Sequence, residues 1–128
     1  MTKSPTYFYD SYAIIEFINQ NNHNFDIYFS NNCGVTTISN LMEVYYSILK
    51  EGGEIQAEKT LELLEPFVLN PTLDDVKESM KFKLKNKKVR FSYTDCLGYA
   101  IARRMKIKFL TGDKEFKHLE NVEFVSAN

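Results

Sequence analysis

Apolar residues along this chain fall in short blocks whose spacing switches between strand-like runs and helical stripes. Tyr7-Phe8-Tyr9 is a brief aromatic run closed by Asp10, which predicts a short buried strand. Residues 11–19 carry Ile14, Ile15 and Ile18 at helical spacing, and the polar run 19–24 interrupts them. Residues 25–29 fit either a helical turn or a strand. Gly34-Val35-Thr36 is a second strand candidate. Ile38, Leu41, Met42, Tyr45, Ile48 and Leu49 then form one helical stripe, which Gly52-Gly53 stops. Residues 55–64 predict another helix, ended by Pro66, and Phe67-Val68-Leu69 is a third strand candidate closed by Asn70-Pro71.

Residues 73–86 predict a helix with Asp74 and Asp75 in its first turn and lysines toward its end, an order that complements the helix dipole. Residues 94–105 predict a helix apolar around most of its circumference, hence buried. A fourth strand at 107–111, a helical turn at 114–118 and a last strand at 122–125 complete the chain. Short apolar strands alternating with helices predict an α/β fold, a three-layer α/β/α sandwich around a mainly parallel sheet of about five short strands. A length of 128 residues fits one domain, 1–128, and no repeat, low-complexity tract or linker divides it.

Composition sharpens this only in part. Hydrophobic residues make up 44% of the chain, enough for a core, and the net charge of -1 gives no global attraction to nucleic acid or membrane. Any nucleic-acid surface must come from clustering of the 16 basic residues. Cys33 and Cys96 have no zinc-ligand partners in sequence and read as small buried residues in a reducing cytoplasm. The first residues are polar with no apolar segment after them, and no run approaches the ~18 apolar residues of a membrane helix. The expected location is cytoplasmic.

The candidate chemistry lies in acids at corresponding places. Asp10 follows the first strand, Asp113 follows Phe109-Leu110-Thr111 after a Gly112 that permits a tight turn, and Asp95 opens the buried helix. In a parallel α/β sheet, strand carboxyl ends and the starts of following helices share one edge, so such side chains can converge. Glu43 lies inside a helix, pointing away from the apolar stripe beside Ser39, Ser47 and Lys50. Each acid also has an ordinary structural explanation. Asp10 and Asp113 can be helix N-caps, Ser92-Tyr93-Thr94-Asp95 matches a capping box, and Glu43 can sit on a solvated face.

Together, Tyr7-Phe8-Tyr9-Asp10-Ser11, Ile38-Ser39-Asn40-Leu41-Met42-Glu43-Val44, Ser92-Tyr93-Thr94-Asp95-Cys96-Leu97 and Phe109-Leu110-Thr111-Gly112-Asp113-Lys114-Glu115-Phe116 resemble the blocks of PIN-domain nucleases, in order and over nearly the whole chain. The resemblance is nearest to the toxin ribonucleases of VapC-type toxin–antitoxin pairs. It implies a Mg²⁺- or Mn²⁺-dependent ribonuclease with Asp10, Glu43, Asp95 and Asp113 catalytic. Asp10, Asp95 and Asp113 would serve the metal, with Glu43 and Asp113 holding metal-bound waters. Ser11 and Thr111 would orient the carboxylates. It also implies cleavage to a 5′-phosphate and a 3′-hydroxyl, a homodimer, and an antitoxin covering the acidic cleft. The apolar face of residues 55–64 is a candidate interface. The chain departs from the family pattern at Tyr12, where a small polar residue is usual, and residues 20–33 match no family pattern.

Two basic clusters flank Asp95. Lys81, Lys83, Lys85, Lys87, Lys88 and Arg90 form one, and Arg103, Arg104, Lys106 and Lys108 the other. Lys87, Lys88, Arg90, Arg103 and Arg104 are candidates for a phosphate track; the alternative is ordinary solvated charge. Tyr7, Tyr9, Tyr12, Tyr45, Tyr46, Tyr93 and Tyr99 read mostly as core or interface residues, with Tyr12 and Tyr93 placed beside acids where a ring can stack on an unpaired base. His23 and His118 are isolated. Rival readings are a PIN-like domain that only binds RNA or protein, an RNA-maturation nuclease, and a phosphoacceptor signalling domain. The last is disfavoured because Phe67-Val68-Leu69 runs into Asn70-Pro71 and offers no acceptor aspartate.

Overall fold

The computed structural model describes residues 5–20, 22–30 and 34–126, so Cys33 lies outside the described residues. Its strands are β1 (Tyr7–Tyr9), β2 (Gly34–Val35), β3 (Lys108–Thr111) and β4 (Val122–Phe124), ordered β2-β1-β3-β4 and all parallel. The helices are α1 (Ser11–Asn19), α2 (Asp26–Phe29), α3 (Ile38–Leu64), α4 (Leu73–Lys85) and α5 (Tyr93–Met105). The ambiguous segment before Ser30 is therefore helical, a 3₁₀ turn His23–Phe25 running into α2.

Side-chain alternation in the strands makes the layers. Tyr9 and Leu110 point to one face, where Ala13, Ile14, Leu41, Val44 and Ile48 of α1 and α3 bury against them. Phe8 and Phe109 point to the other, where Cys96, Tyr99, Ile101 and Ala102 of α5 pack. The Phe8 and Phe109 rings stack at 5.8 Å. Both faces of a parallel sheet are thus covered, the condition under which short apolar strands are stable. Among the described residues no helix is long and apolar enough to cross a membrane.

Three details differ from the sequence expectation. The described sheet has four strands because Phe67-Val68-Leu69 supplies a single bridge, Val68 to Thr36, in place of a strand. Pro66 holds Glu65–Phe67 in a 3₁₀ turn and Pro71 follows, leaving too little extended backbone. Within the predicted stripe of α3, Leu41 and Ile48 are buried, as is Val44 beside them, while Ile38, Met42 and Leu49 are exposed, so the apolar stripe is split across two faces. Gly53 alone breaks the helix, at φ 87° and ψ 174°, a conformation that strains any residue with a Cβ.

Gly98 decides how closely α5 lies on the sheet. A Cβ there would stand 2.5 Å from Phe8 Cε1 and 3.1 Å from Phe109 Cε1. Asp95 is one turn earlier on the same helix, so this close approach also carries Asp95 toward the strand ends. Gly98→Ala gains about 1 kcal/mol of helix propensity but loses about 1–3 kcal/mol to overpacking. A net destabilisation of roughly 1 kcal/mol is expected, read as a lower urea midpoint at unchanged m-value.

Candidate active site

The β1–β3 register pairs Tyr9 with Leu110 and so brings the next residues, Asp10 and Thr111, side by side at the carboxyl edge. The Asp10 amide donates to Leu110 O at 3.1 Å, extending the pairing. Asp10 occupies the N-cap position of α1, yet its side chain makes no capping hydrogen bond. Instead Thr111 Oγ1 donates to Asp10 Oδ2 at 2.7 Å, and the Asp113 amide donates to Thr111 Oγ1 at 3.0 Å.

A second relay reaches Glu43. Thr37 caps α3 and its hydroxyl donates to Asn40 Oδ1 at 2.6 Å. Asn40 Nδ2 donates to Ser11 Oγ at 2.9 Å, and Ser11 Oγ donates to Glu43 Oε1 at 2.6 Å. Asn40 is fully buried, and no motif of the sequence marks it as a functional residue. The available signal was its i, i+3 spacing to Glu43, which puts both on one helix face. Ser39 Oγ and Thr94 Oγ1 lie 2.6 Å apart and tie α3 to α5 beside the cluster.

Asp95 and Asp113 keep the capping roles that the sequence allowed. Asp95 Oδ2 accepts from the Ser92 amide at 3.0 Å, closing a capping box, and Asp113 Oδ1 accepts from the Glu115 amide at 2.9 Å. Capping uses one oxygen of each carboxylate, so capping and a second role are compatible. Gly112 follows from close approach, not from turn geometry. The Tyr12 ring lies against it, and an added Cβ would also stand 3.0 Å from Val125 O. Tyr12, the departure from the family pattern, thus covers the backbone just before Asp113.

The electrostatics single out Asp10. Burial, reinforced by the Asp95 charge and to a lesser degree by Glu43, pushes its carboxyl up from 3.8 to about 8, against the opposing hydrogen bonds from Thr111 and the Ser11 amide. Asp95 is also raised, mainly by burial, with Asp113 adding to the shift and Lys83 opposing it. Asp10 therefore feels the charges of Asp95 and Glu43, and Asp95 feels that of Asp113. Among the described residues, no group of three or more His, Cys, Asp or Glu side chains makes a ready-made metal cage. The donors at the edge are all oxygens, and the neighbouring carboxylates raise Asp10 and Asp95 toward their neutral forms, a repulsion that a divalent cation would relieve. This suits magnesium or manganese, which take few protein oxygens and complete their shell with water.

The basic candidates separate. Lys87, Lys88 and Arg90 are exposed near the start of α5. Arg103 and Arg104 lie at its far end and are committed elsewhere. Arg104 grips buried Asp75 through two hydrogen bonds of 2.6 and 2.9 Å, and Arg103 pairs with Glu120 at 2.9 Å. Eight residues of helix separate Asp95 from Arg103, about 12 Å of rise, so the structure does not bring these arginines to the acids.

Because the Asp10 carboxyl protonates at higher pH folded than unfolded, the folded state binds more protons between pH 4 and 8. Stability from this group is therefore full below about pH 4 and is lost as pH rises toward 8. At about 1.4 kcal/mol per pH unit the effect is at most about 6 kcal/mol. In urea unfolding with EDTA, Asp10→Asn is expected to exceed the parent in stability at pH 8 and to lose that advantage toward pH 4.

Among the curated proteins none matches this chain. Solved structures that resemble it include a sarcin-ricin-loop-cleaving VapC toxin of Mycobacterium tuberculosis, 15% identical, with a TM-score of 0.78 over 92% of this chain and 98% of that one. A toxin-antitoxin complex from Klebsiella pneumoniae is 16% identical, with a TM-score of 0.74 over 96% and 98% of the two chains. A DNA-bound VapBC complex of Salmonella typhimurium is 17% identical, with a TM-score of 0.70 over 97% and 99%. At these identities the likeness is one of fold. The PIN domain family model matches residues 7–122, from the first residue of β1 into β4, and the chain belongs to the PIN domain family.

Proposed function

We propose that this protein is a single-domain, metal-dependent ribonuclease that hydrolyses RNA phosphodiester bonds and acts as the toxin of a toxin–antitoxin pair. The observation carrying this reading is the buried Asp10 carboxyl, held by Thr111 among like charges where burial alone would favour an apolar residue. A magnesium or manganese ion held by Asp10, Asp95 and Asp113, directly or across water, would neutralise the phosphate and ease deprotonation of the attacking water. Glu43, fixed by Ser11 and Asn40, would accept the proton of that water. Thr111 would keep Asp10 aimed at the edge, and Lys87, Lys88 and Arg90 would attract the RNA backbone.

Support for an antitoxin partner comes from the neighbours described as toxin–antitoxin complexes. Support for a homodimer comes from the exposed apolar side chains Ile38, Met42 and Leu49 on one half of α3 and Ile55 and Leu63 on the other. The dimer surface thus extends beyond residues 55–64, and Met42→Glu tests it by a shift to monomer in light scattering.

Three measurements test the nuclease reading. Millimolar Mg²⁺ or Mn²⁺ is expected to raise the melting temperature of the parent, and Asp10→Asn to abolish most of that rise. RNA cleavage should fall by about two orders of magnitude or more in Asp10→Asn. Ser11→Ala, which removes the donor to Glu43, should cost about 10- to 100-fold in cleavage. A parent protein with metal-independent melting and no RNA cleavage would overturn the reading.

A further inference from the structure

A groove of about 670 Å³ runs along the start of α5, between the end of α4 and the loop before Ser92. Met80, Leu84 and Phe91 give it an apolar floor, and Lys83, Lys87 and Arg90 supply its charge. Tyr93 stands at its rim with 70% of its surface exposed, two residues before Asp95 on the first turn of α5. Lys83 is a fixed cation here. Its ammonium donates to Phe91 O and stands 4.9 Å over one side of the Tyr93 ring. With Tyr93 so exposed, the remaining ring surface faces water.

An aromatic plane, an anchored cation and two exposed cations in one groove match an unpaired nucleic-acid strand. A base stacks on the ring while cations meet the phosphates on either side. Bases of duplex RNA are already stacked on one another and cannot use such a plane. Resting on the nuclease reading above, we propose that this groove is a subsite for single-stranded RNA. Tyr93 stacks on an unpaired base next to the scissile phosphate, and Lys83 holds the phosphate between that base and the acidic edge. The site therefore favours unpaired segments over duplex, independently of the groups that perform the cleavage. Tyr93 and Asp95 share the first turn of α5, which ties the subsite to the acids.

The test measures binding of a fluorescein-labelled oligouridine by anisotropy, in the Asp10→Asn background so that the strand stays intact. Tyr93→Ala is expected to weaken binding about tenfold or more, and Tyr93→Phe, which keeps the stacking plane, to stay within about threefold of its parent. Lys83→Gln should weaken binding and flatten its dependence on salt, and a duplex of the same length should be insensitive to Tyr93→Ala. Melting curves of each variant check folding, and Tyr93→Phe controls for any local loss of structure. Tyr93→Ala binding as tightly as its parent, while Asp10→Asn alone abolishes cleavage, would sink the groove and leave the nuclease standing. A parent that neither binds nor cleaves RNA would remove both. An oligoglutamate peptide that binds more tightly than the RNA, with the same loss in Tyr93→Ala, would give the groove to an acidic protein segment and overturn the proposal.

Discussion

The parallel pairing of β1 with β3 sets Tyr9 opposite Leu110, and the acidic edge depends on that register. A slip of β3 by one residue would turn Phe109 away from the α5 side and Leu110 away from the α1–α3 side while Phe8 and Tyr9 stayed in place, breaking both halves of the core. The same slip would separate Asp10 from Thr111. Burial of aromatic and aliphatic side chains on two faces thus fixes the position of a carboxylate that gains nothing from burial itself. The core holds Asp10 where its charge is unfavourable, the arrangement on which the proposed chemistry rests.

The supporting polar groups are mostly buried and mostly satisfied, which is what makes them rigid. Thr37, Asn40 and Ser11 form an unbroken relay from the cap of α3 to Glu43. Thr111 uses its hydroxyl both as donor to Asp10 and as acceptor from the Asp113 amide. An unsatisfied member of either relay would cost about 1–3 kcal/mol, so each constrains the rotamers of the next. Asp95 and Asp113 are held differently, by the helical turns they cap. Capping and carboxylate clustering are thus two uses of the same side chains, and the ordinary structural explanation of an aspartate at a helix start does not compete with the chemical one.

Charge is partitioned along α5. Its first turn carries Asp95 beside Lys83 and the open groove, and its last carries Arg103 and Arg104, both engaged with acids. The Arg104–Asp75 pair joins α4 to α5 with a buried carboxylate, and the guanidinium draws that carboxyl below its ordinary value once burial is offset. Two basic clusters of similar appearance in the sequence therefore differ: Arg104 joins α4 to α5 and Arg103 pairs with Glu120, whereas Lys87, Lys88 and Arg90 face solvent near the start of α5.

By itself, the sequence determined the order of elements, the parallel α/β class and three of the acids. Those follow from local rules, namely apolar runs of strand length, helical spacing, and aspartates at strand ends and helix starts. Local rules also suggested a strand at Phe67-Val68-Leu69 and a single stripe on α3. There tertiary structure decided otherwise, because Pro66 and Pro71 leave one bridge, and Ile38 and Met42 turn to solvent. Glu43 was legible only through resemblance, and Asn40 only through its helical spacing to Glu43. Their partners, Ser11 and Thr37, belong to one short hydrogen-bonded chain that crosses from α1 to α3 and has no sequence period. The commitment of Arg103 and Arg104, and the meeting of Lys83 with Tyr93, were likewise decided by packing of α4 on α5. Periodicity reports which face of an element is apolar, and only the folded chain brings polar groups on different elements within 3 Å of each other.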